Sequence, residues 1–174
     1  MDKLFILVEK TELWLNGDKL SLLPSYFVDG TGFSNALLIA LVWAVIGILV
    51  FYFFIGMRSV RLSNVPVWLC TLAAVGALTW LTTTKIVVGS YDGQTGFFQT
   101  ADQIKTEKLK KALTDEERDE IKSKYNHTIE EMRKPACGTV LALNGTSVAL
   151  ALLVFFGASL GVKRMSTHAS AVPF

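Results

Sequence analysis

The chain has 174 residues, of which 51% are hydrophobic and 18% are charged, with a formal charge of +2 and a mean hydropathy of +0.42. This composition excludes a disordered chain and a nucleic-acid-binding protein that relies on a strongly basic surface. It also departs from that of soluble domains, in which about a quarter of the residues are charged. The class of the protein therefore depends on where the surplus apolar residues lie.

Residues 1–34 are predicted to form an N-terminal interfacial segment. An amphipathic helix over about residues 2–15, ended by Asn16-Gly17, is favoured, and it would lie in the membrane interface. Because apolar residues also alternate on both sides of Asn16-Gly17, a β-hairpin is the alternative. The apolar stretch at 4–8 is too short for a cleavable signal peptide.

Three apolar runs of at least 20 residues contain no charged side chain and account for the high hydropathy. At about 1.5 Å per residue, a helix of this length spans the roughly 30 Å hydrocarbon core of a bilayer. The predicted fold class is therefore an all-α integral membrane protein with three transmembrane helices. We place these helices at residues 35–56, 65–85 and 135–162.

Two connections carry a local excess of basic residues. The short loop 57–64 contains two arginines, and the C-terminal tail 163–174 opens with Lys163-Arg164, while neither segment contains an acidic residue. Three spans put both segments on one side of the membrane, and the positive-inside rule makes that side cytoplasmic.

The remaining segments are then expected on the outer side of a bacterial inner membrane or a plasma membrane. They comprise the N-terminus and the polar segment 86–134, while the C-terminus is cytoplasmic. A count over whole loops favours the opposite orientation, because residues 85–136 hold ten Lys or Arg residues. We favour the orientation with the N-terminus outside, because residues 24–33, which precede the first span, contain no basic residue.

The polar segment 86–134 is predicted to be helical and to lie outside the membrane. Thr114 and Glu117 have the spacing of a capping box, which predicts a helix from Thr114 to about Lys134, after a shorter helix over 101–113. Oppositely charged residues at i,i+4 spacing support these helices. The pairs are Glu107–Lys111, Glu120–Lys124 and Glu130–Lys134.

A narrow apolar stripe follows one face of the second of these helices and is a candidate partner surface. Its members are Ile121, Tyr125, Ile129 and Met132. The stripe is too thin to form a core by itself, so it must rest on the N-terminal segment, the membrane surface or another protein. A contact within the chain is the simplest interpretation.

Two similar stretches, 25–33 and 90–97, each contain Ser-Tyr, an Asp-Gly and a final Thr-Gly-Phe. Asp-Gly and Thr-Gly favour turns, so the simplest interpretation is a pair of similar loops beside two spans. A calcium site formed by Asp29 and Asp92 would offer two carboxylates, which is fewer than the six to eight oxygen ligands that calcium usually takes.

Small residues recur at helical spacing in all three predicted spans, which permits close approach of helix backbones in lipid. The candidates for helix packing are Ala36, Ala40, Ala44, Gly47, Ala73, Ala77, Gly138, Ala142, Gly145, Gly157 and Gly161. Gly157 and Gly161 form a GxxxG motif, and Cys70, Ala74 and Ala149 extend the small faces of the second and third spans. The spacing leaves open whether these faces contact the same chain or a partner.

Groups suited to chemistry are scarce. Apart from Lys85 at the end of the second span, the spans contain no Asp, Glu, Lys, Arg or His, and the two histidines, His127 and His168, lie in polar segments. No GxSxG, HExxH or P-loop motif is present, and no cofactor is evident. Cys70 and Cys137 begin antiparallel spans at opposite faces, so we expect two free, buried thiols rather than a disulfide.

These patterns favour a non-catalytic subunit of a larger membrane complex, whose partners are the lipid bilayer and other membrane subunits. The alternative is a homo-oligomeric, holin-like pore, with a lumen lined by polar residues near the middle of the third span. Those residues are Asn144, Thr146 and Ser147. We expect neither enzymatic activity nor nucleic-acid binding.

Overall fold

The computed structural model describes residues 6–11, 22–55, 65–89, 95–134 and 137–165. Within these ranges every regular element is helical and no strand occurs. The α-helices are α1 (Ile6–Glu9), α2 (Leu22–Phe27), α3 (Gly32–Ile48), α4 (Val65–Thr83), α5 (Gly96–Lys111), α6 (Asp115–Arg133) and α7 (Gly138–Met165). Helix α3 continues into a π-helical segment, Leu49–Ile55, and α4 continues into another, Thr84–Val88.

The prediction of three long apolar helices is confirmed. The stretches Gly32–Phe53, Val65–Val88 and Gly138–Gly161 are each long and apolar enough to cross a membrane. The first helix begins at Gly32, three residues before the predicted position 35, so that Gly-Phe-Ser forms its first turn. The second continues past the predicted end at Lys85, whose side chain is exposed and therefore does not interrupt the helix.

The N-terminal segment is helical in its described part. Helix α1 covers Ile6–Glu9, and the Thr11 amide donates to the Val8 carbonyl at 3.2 Å as the helix ends. The helix thus ends at Glu9, before the predicted end near residue 15, and residues 2–5 and 12–17, with the Asn16-Gly17 turn, lie outside the described ranges. Helix α2 was not predicted. It contributes four buried apolar residues, because its Leu-Leu and Tyr-Phe pairs recur on one helical face.

The capping box at the start of α6 is confirmed. The Thr114 hydroxyl accepts from the Glu117 amide at 3.3 Å, and the Glu117 carboxylate accepts from the Thr114 amide at 3.3 Å. Both contacts satisfy amides that have no partner within the helix itself. The preceding helix α5 is longer than predicted, because it starts at Gly96 rather than near 101.

Two of the three predicted ion pairs are present. Lys111 binds Glu107 at 2.6 Å, and Lys124 binds Glu120. Lys134 pairs with Glu131 instead of the predicted Glu130, which replaces an i,i+4 contact by an i,i+3 contact at the last turn of α6. Water reaches the side chains of these pairs and screens their attraction, so the pairs add little to stability.

The chain divides into two compact units. The first comprises Met1–Ala36 and Thr82–Thr146, and its described core is rich in aromatic side chains. In this unit α5 packs against α2, α6 and the π-helical segment Thr84–Val88. The second unit comprises Leu37–Leu81 and Ser147–Phe174.

The described core of the second unit combines small and large side chains from three helices. Its fully buried centre consists of Ala40, Ala44, Phe51, Tyr52, Trp68, Val75, Ala151 and Phe155. The Trp68 and Phe155 rings lie 5.8 Å apart, and the Tyr52 hydroxyl donates to the Ser159 carbonyl at 3.2 Å. The alanines of α3 are small enough to leave room for these rings in the same buried cluster.

Two glycines close the connection between the second long helix and α5. Gly89 has a φ of 98° and Gly96 a φ of 64°, which only glycine adopts without strain at both positions. A Cβ on Gly89 would lie 2.0 Å from the Thr95 carbonyl oxygen, and one on Gly96 would lie 2.7 Å from that of Val87. The backbones on the two sides of this connection therefore touch, and larger residues do not fit.

Candidate partner-binding surfaces

The small residues of α3 are used in packing within the chain. Ala36, Ala40 and Ala44 are at most 1% exposed, and Gly47 is also buried. A Cβ on Gly47 would lie 2.4 Å from the Val75 side chain and 3.2 Å from the Phe155 ring. Glycine at this position therefore permits the close approach of α4 and α7 side chains to α3.

The small residues of α4 have the opposite placement. Ala73 and Ala77 are exposed, as are the neighbouring Cys70 and Ala74, while the inner side of α4 is formed by Trp68, Val75 and Thr79. The prediction that both thiols are buried is therefore wrong for Cys70. It holds for Cys137, whose Sγ contacts Met132 Sδ at 3.9 Å. Both thiols are free.

The small residues of α7 also face outward. Gly138, Gly145, Gly157 and Gly161 are exposed, and Ala142 is half-buried. A Cβ added at Gly145, Gly157 or Gly161 would have no neighbour within 4 Å, whereas one at Gly138 would approach Thr11 at 3.9 Å. Ala149 is exposed as well. Contacts within the described chain thus do not require small residues at these positions.

The polar residues near the middle of α7 are turned toward the interior. Asn144 and Ser147 are at most 1% exposed, and the Thr146 hydroxyl donates to the Ala142 carbonyl at 2.7 Å. The Asn144 side-chain amide donates to the Thr84 hydroxyl at 2.8 Å. This hydrogen bond joins α7 to the π-helical segment that follows α4.

The apolar stripe on α6 is mostly covered by the chain itself. Ile129 and Met132 are buried, while Ile121 and Tyr125 are half-buried. The Lys105 ammonium group lies 4.1 Å from the centre of the Tyr125 ring, a cation–π contact. The pKa of Tyr125 is raised mainly by burial of its side chain and, to a smaller extent, by the negative charge of Asp102. The area that the stripe could offer to a partner is therefore limited to its N-terminal half.

The polar surface of α5 and α6 carries several ion pairs between residues three or four positions apart. Hydrogen bonding to Lys111 lowers the pKa of Glu107, and hydrogen bonding to Lys134 lowers that of Glu131. A shallow groove between these helices is lined by Lys108, Lys111, Ala112, Glu117, Glu120, Ile121 and Lys124. Its lining combines three lysines with two glutamates, so the groove offers no strong charge of one sign to a ligand.

An aromatic cluster in the first unit was missed by the sequence interpretation. Its members are Tyr26, Phe27, Phe33, Phe97 and Phe98. Phe27 contacts both Phe33 and Phe97, at centroid distances of 5.3 and 6.1 Å. Phe33 and Phe97 are the final residues of the two similar stretches 25–33 and 90–97, so this repetition was the signal that could have found the cluster.

Tyr26 connects the cluster to the second long helix. Its hydroxyl donates to the Val87 carbonyl at 2.8 Å, and burial raises the pKa of Tyr26 to about 12. The hydroxyl therefore stays protonated at neutral pH and remains a donor. This bond satisfies a carbonyl in the last turn of the helix, where partners within the helix are lacking.

Among the residues that the structure describes, no group of three or more His, Cys, Asp or Glu side chains could hold a metal ion. Asp29 and His127 are exposed. Asp92 and His168 lie outside the described ranges.

Comparison with known proteins gave no match to a family model, to a curated protein or to a solved structure.

Proposed function

We propose that the protein is a multi-pass membrane subunit without catalytic activity, which packs against other subunits of a larger complex. Its three long helices expose large apolar side chains along most of their length. Leu38 is 59% exposed, Leu81 57% and Leu153 68%. In water such extended apolar surfaces would cause aggregation, whereas lipid tails solvate them.

One observation carries the proposal of protein partners: small residues occur where the chain's own packing does not need them. On α7, Gly157 and Gly161 are exposed, and a Cβ at either position would meet no described residue within 4 Å. On α4, Ala73 and Ala77 are exposed beside large apolar residues. A small face in lipid permits a second helix to approach closely, so that van der Waals contacts replace the missing hydrophobic driving force.

The homo-oligomeric pore is our second candidate. Its proposed lumen would need the polar side chains of α7 to face outward. Asn144 and Ser147 are buried, and Thr146 is half-buried with its hydroxyl bound to its own helix. The uncharged exposed faces that remain are suited to lipid or protein contacts rather than to water, and we therefore rank the subunit first.

The proposed membrane orientation can be tested by cysteine labelling. In a variant with both native cysteines replaced by alanine, Thr114→Cys should react with a membrane-impermeant maleimide added to intact cells. Ser59→Cys in the same background should react only after the cells are lysed. The proposed orientation places residues 86–134 outside and 57–64 in the cytoplasm, and the reverse labelling pattern would show that it is inverted.

The proposed interface on α7 can be tested with Gly157→Leu combined with Gly161→Leu. We expect partner subunits to be lost on purification in mild detergent, because two leucines prevent close helix approach. The stability of the chain should change by only about 0.5 kcal/mol, since neither site is filled in the chain.

Phe156→Leu is the matched control on the same helix, because it replaces one large exposed residue by another. It should retain the partners. Unchanged partners in the double glycine variant would remove this face as an interface, and an assembly made of this chain alone would favour the pore.

A further inference from the structure

Two buried polar atoms, one on α7 and one at the end of α4, have no hydrogen-bond partner among the residues that the structure describes. They are Asn144 Oδ1 and Thr83 Oγ1, in side chains that are 1% and 0% exposed. The Asn144 amide nitrogen donates to Thr84 Oγ1 at 2.8 Å, so its oxygen lies on the same amide group close to Thr84. Thr83 directly precedes Thr84, with Cα atoms about 3.8 Å apart.

The two atoms differ in the hydrogen bonds that they can form. An amide oxygen only accepts hydrogen bonds, whereas a hydroxyl both donates and accepts. Leaving either atom without a partner in an apolar interior forfeits its hydrogen bond to water, and buried polar atoms in proteins are almost always satisfied. One small molecule that donates to the amide oxygen and exchanges a hydrogen bond with the hydroxyl would satisfy both.

We propose that a single water molecule is bound here and bridges Asn144 Oδ1 to Thr83 Oγ1. Water supplies two donors and two acceptors, and buried waters typically make about three hydrogen bonds to otherwise unsatisfied groups. The water then forms a second polar link between α4 and α7, beside the direct bond from Asn144 to Thr84. It also lies next to the π-helical segment Thr84–Val88, a helix type that is often found at functional positions.

A water molecule fits this position better than a cation. The two unsatisfied atoms and the Thr84 hydroxyl are all neutral, so they would not balance the charge of a sodium or potassium ion in an apolar interior. The side chains of Thr83 and Asn144 are almost fully buried within the chain, so a partner subunit or a lipid headgroup cannot reach them without a rearrangement. The proposal does not depend on which partner the protein has.

The decisive variant is Thr83→Val, which removes the hydroxyl at almost constant volume. If the hydroxyl binds water, its loss breaks the bridge and should raise the unfolding equilibrium constant about five- to tenfold. In an Asn144→Leu background the same change should have less than about a twofold effect, because the bridge is already absent. Thermal or denaturant unfolding of the full chain in detergent micelles measures both.

Thr79→Val is the matched control. The Thr79 hydroxyl is also fully buried but donates to the Val75 carbonyl of its own helix at 2.7 Å. Its replacement should have the same effect in the wild-type and Asn144→Leu backgrounds. If Thr83→Val instead leaves stability unchanged or increases it, the hydroxyl has no partner and the proposed water is absent.

A direct measurement covers the case in which Asn144→Leu does not fold. A high-resolution map of the wild-type protein should show one density peak within about 2.6–3.2 Å of both oxygen atoms. An empty space there would overturn the proposal. A melting temperature that rises with sodium or potassium chloride but not with choline chloride would also overturn it, because it would identify a cation at the site.

Discussion

Gly47→Leu is expected to destabilise the protein by about 3 kcal/mol or more, because there is no room for a side chain at this point of α3. Even a single Cβ would lie 2.4 Å from the Val75 side chain and 3.2 Å from the Phe155 ring. Val75 is β-branched and therefore stiff, and Phe155 is fully buried, so neither can move away without disturbing its own neighbours. A lower midpoint for thermal unfolding in detergent, monitored by circular dichroism, would measure the effect.

Gly157→Leu provides the control, because it makes the same chemical change in a long apolar helix. A Cβ at Gly157 would meet no atom of the described residues within 4 Å, so the variant should unfold close to the wild-type midpoint. Equal unfolding midpoints for the two variants would mean that Gly47 does not lie at a close contact between helices. The pair also separates packing within the chain from packing with partners, since only Gly157→Leu is expected to weaken the proposed assembly.

Phe97→Ala should cost about 3–5 kcal/mol, the usual range for deleting a fully buried aromatic ring. Phe97 is 0% exposed and contacts the rings of Tyr26, Phe27 and Phe98, at centroid distances of 5.8, 6.1 and 5.7 Å. These residues join α2 to α5 in the first unit. Faster hydrogen exchange at the amides of α2 and α5 would report the loss locally, together with a lower thermal midpoint.

Phe53→Ala is the corresponding control. The Phe53 side chain is 57% exposed and lies near the end of the first long helix, so the loss of its ring should have little effect on hydrogen exchange in α2. If Phe97→Ala left exchange in α2 unchanged, the aromatic cluster would not be the contact that holds α2 in place. The first unit would then depend on other buried residues, such as Leu22 and Leu23.

The buried face of the polar segment could be predicted only in part, because the sequence shows which residues of α6 are apolar but not which residues pack against them. Ile129 and Met132 were recognised as apolar positions of α6, and their burial follows from helical periodicity. What covers this region could not be read from α6 alone, because α6 packs against α5, and α5 in turn packs against α2, which lies much earlier in the chain. The Gly-Phe ends of two similar stretches were visible, but only the fold brings Phe33 and Phe97 to the same aromatic ring of Phe27.

Local physics was sufficient for the elements themselves. Uncharged runs of at least 20 residues predicted three long apolar helices, and the Thr114–Glu117 spacing predicted the start of α6 to within one residue. Both features depend on neighbouring residues only: hydropathy accumulates along a segment, and a capping box joins residues three apart. Glu130 and Glu131 mark the limit of such rules, since both can reach Lys134 and the observed pair is with Glu131.

The sequence by itself thus determined that the protein has three helices suited to a bilayer and a charge-balanced helical segment between the second and third. Only the tertiary structure decided which small residues face inward, burying Ala40, Ala44 and Gly47 while leaving Ala77 and Gly157 exposed. The physical reason is that these helices are apolar all round, so no polar face opposes the small one. Periodicity then lacks the contrast that would indicate a direction, and the fit of Val75 and Phe155 around Gly47 sets it instead.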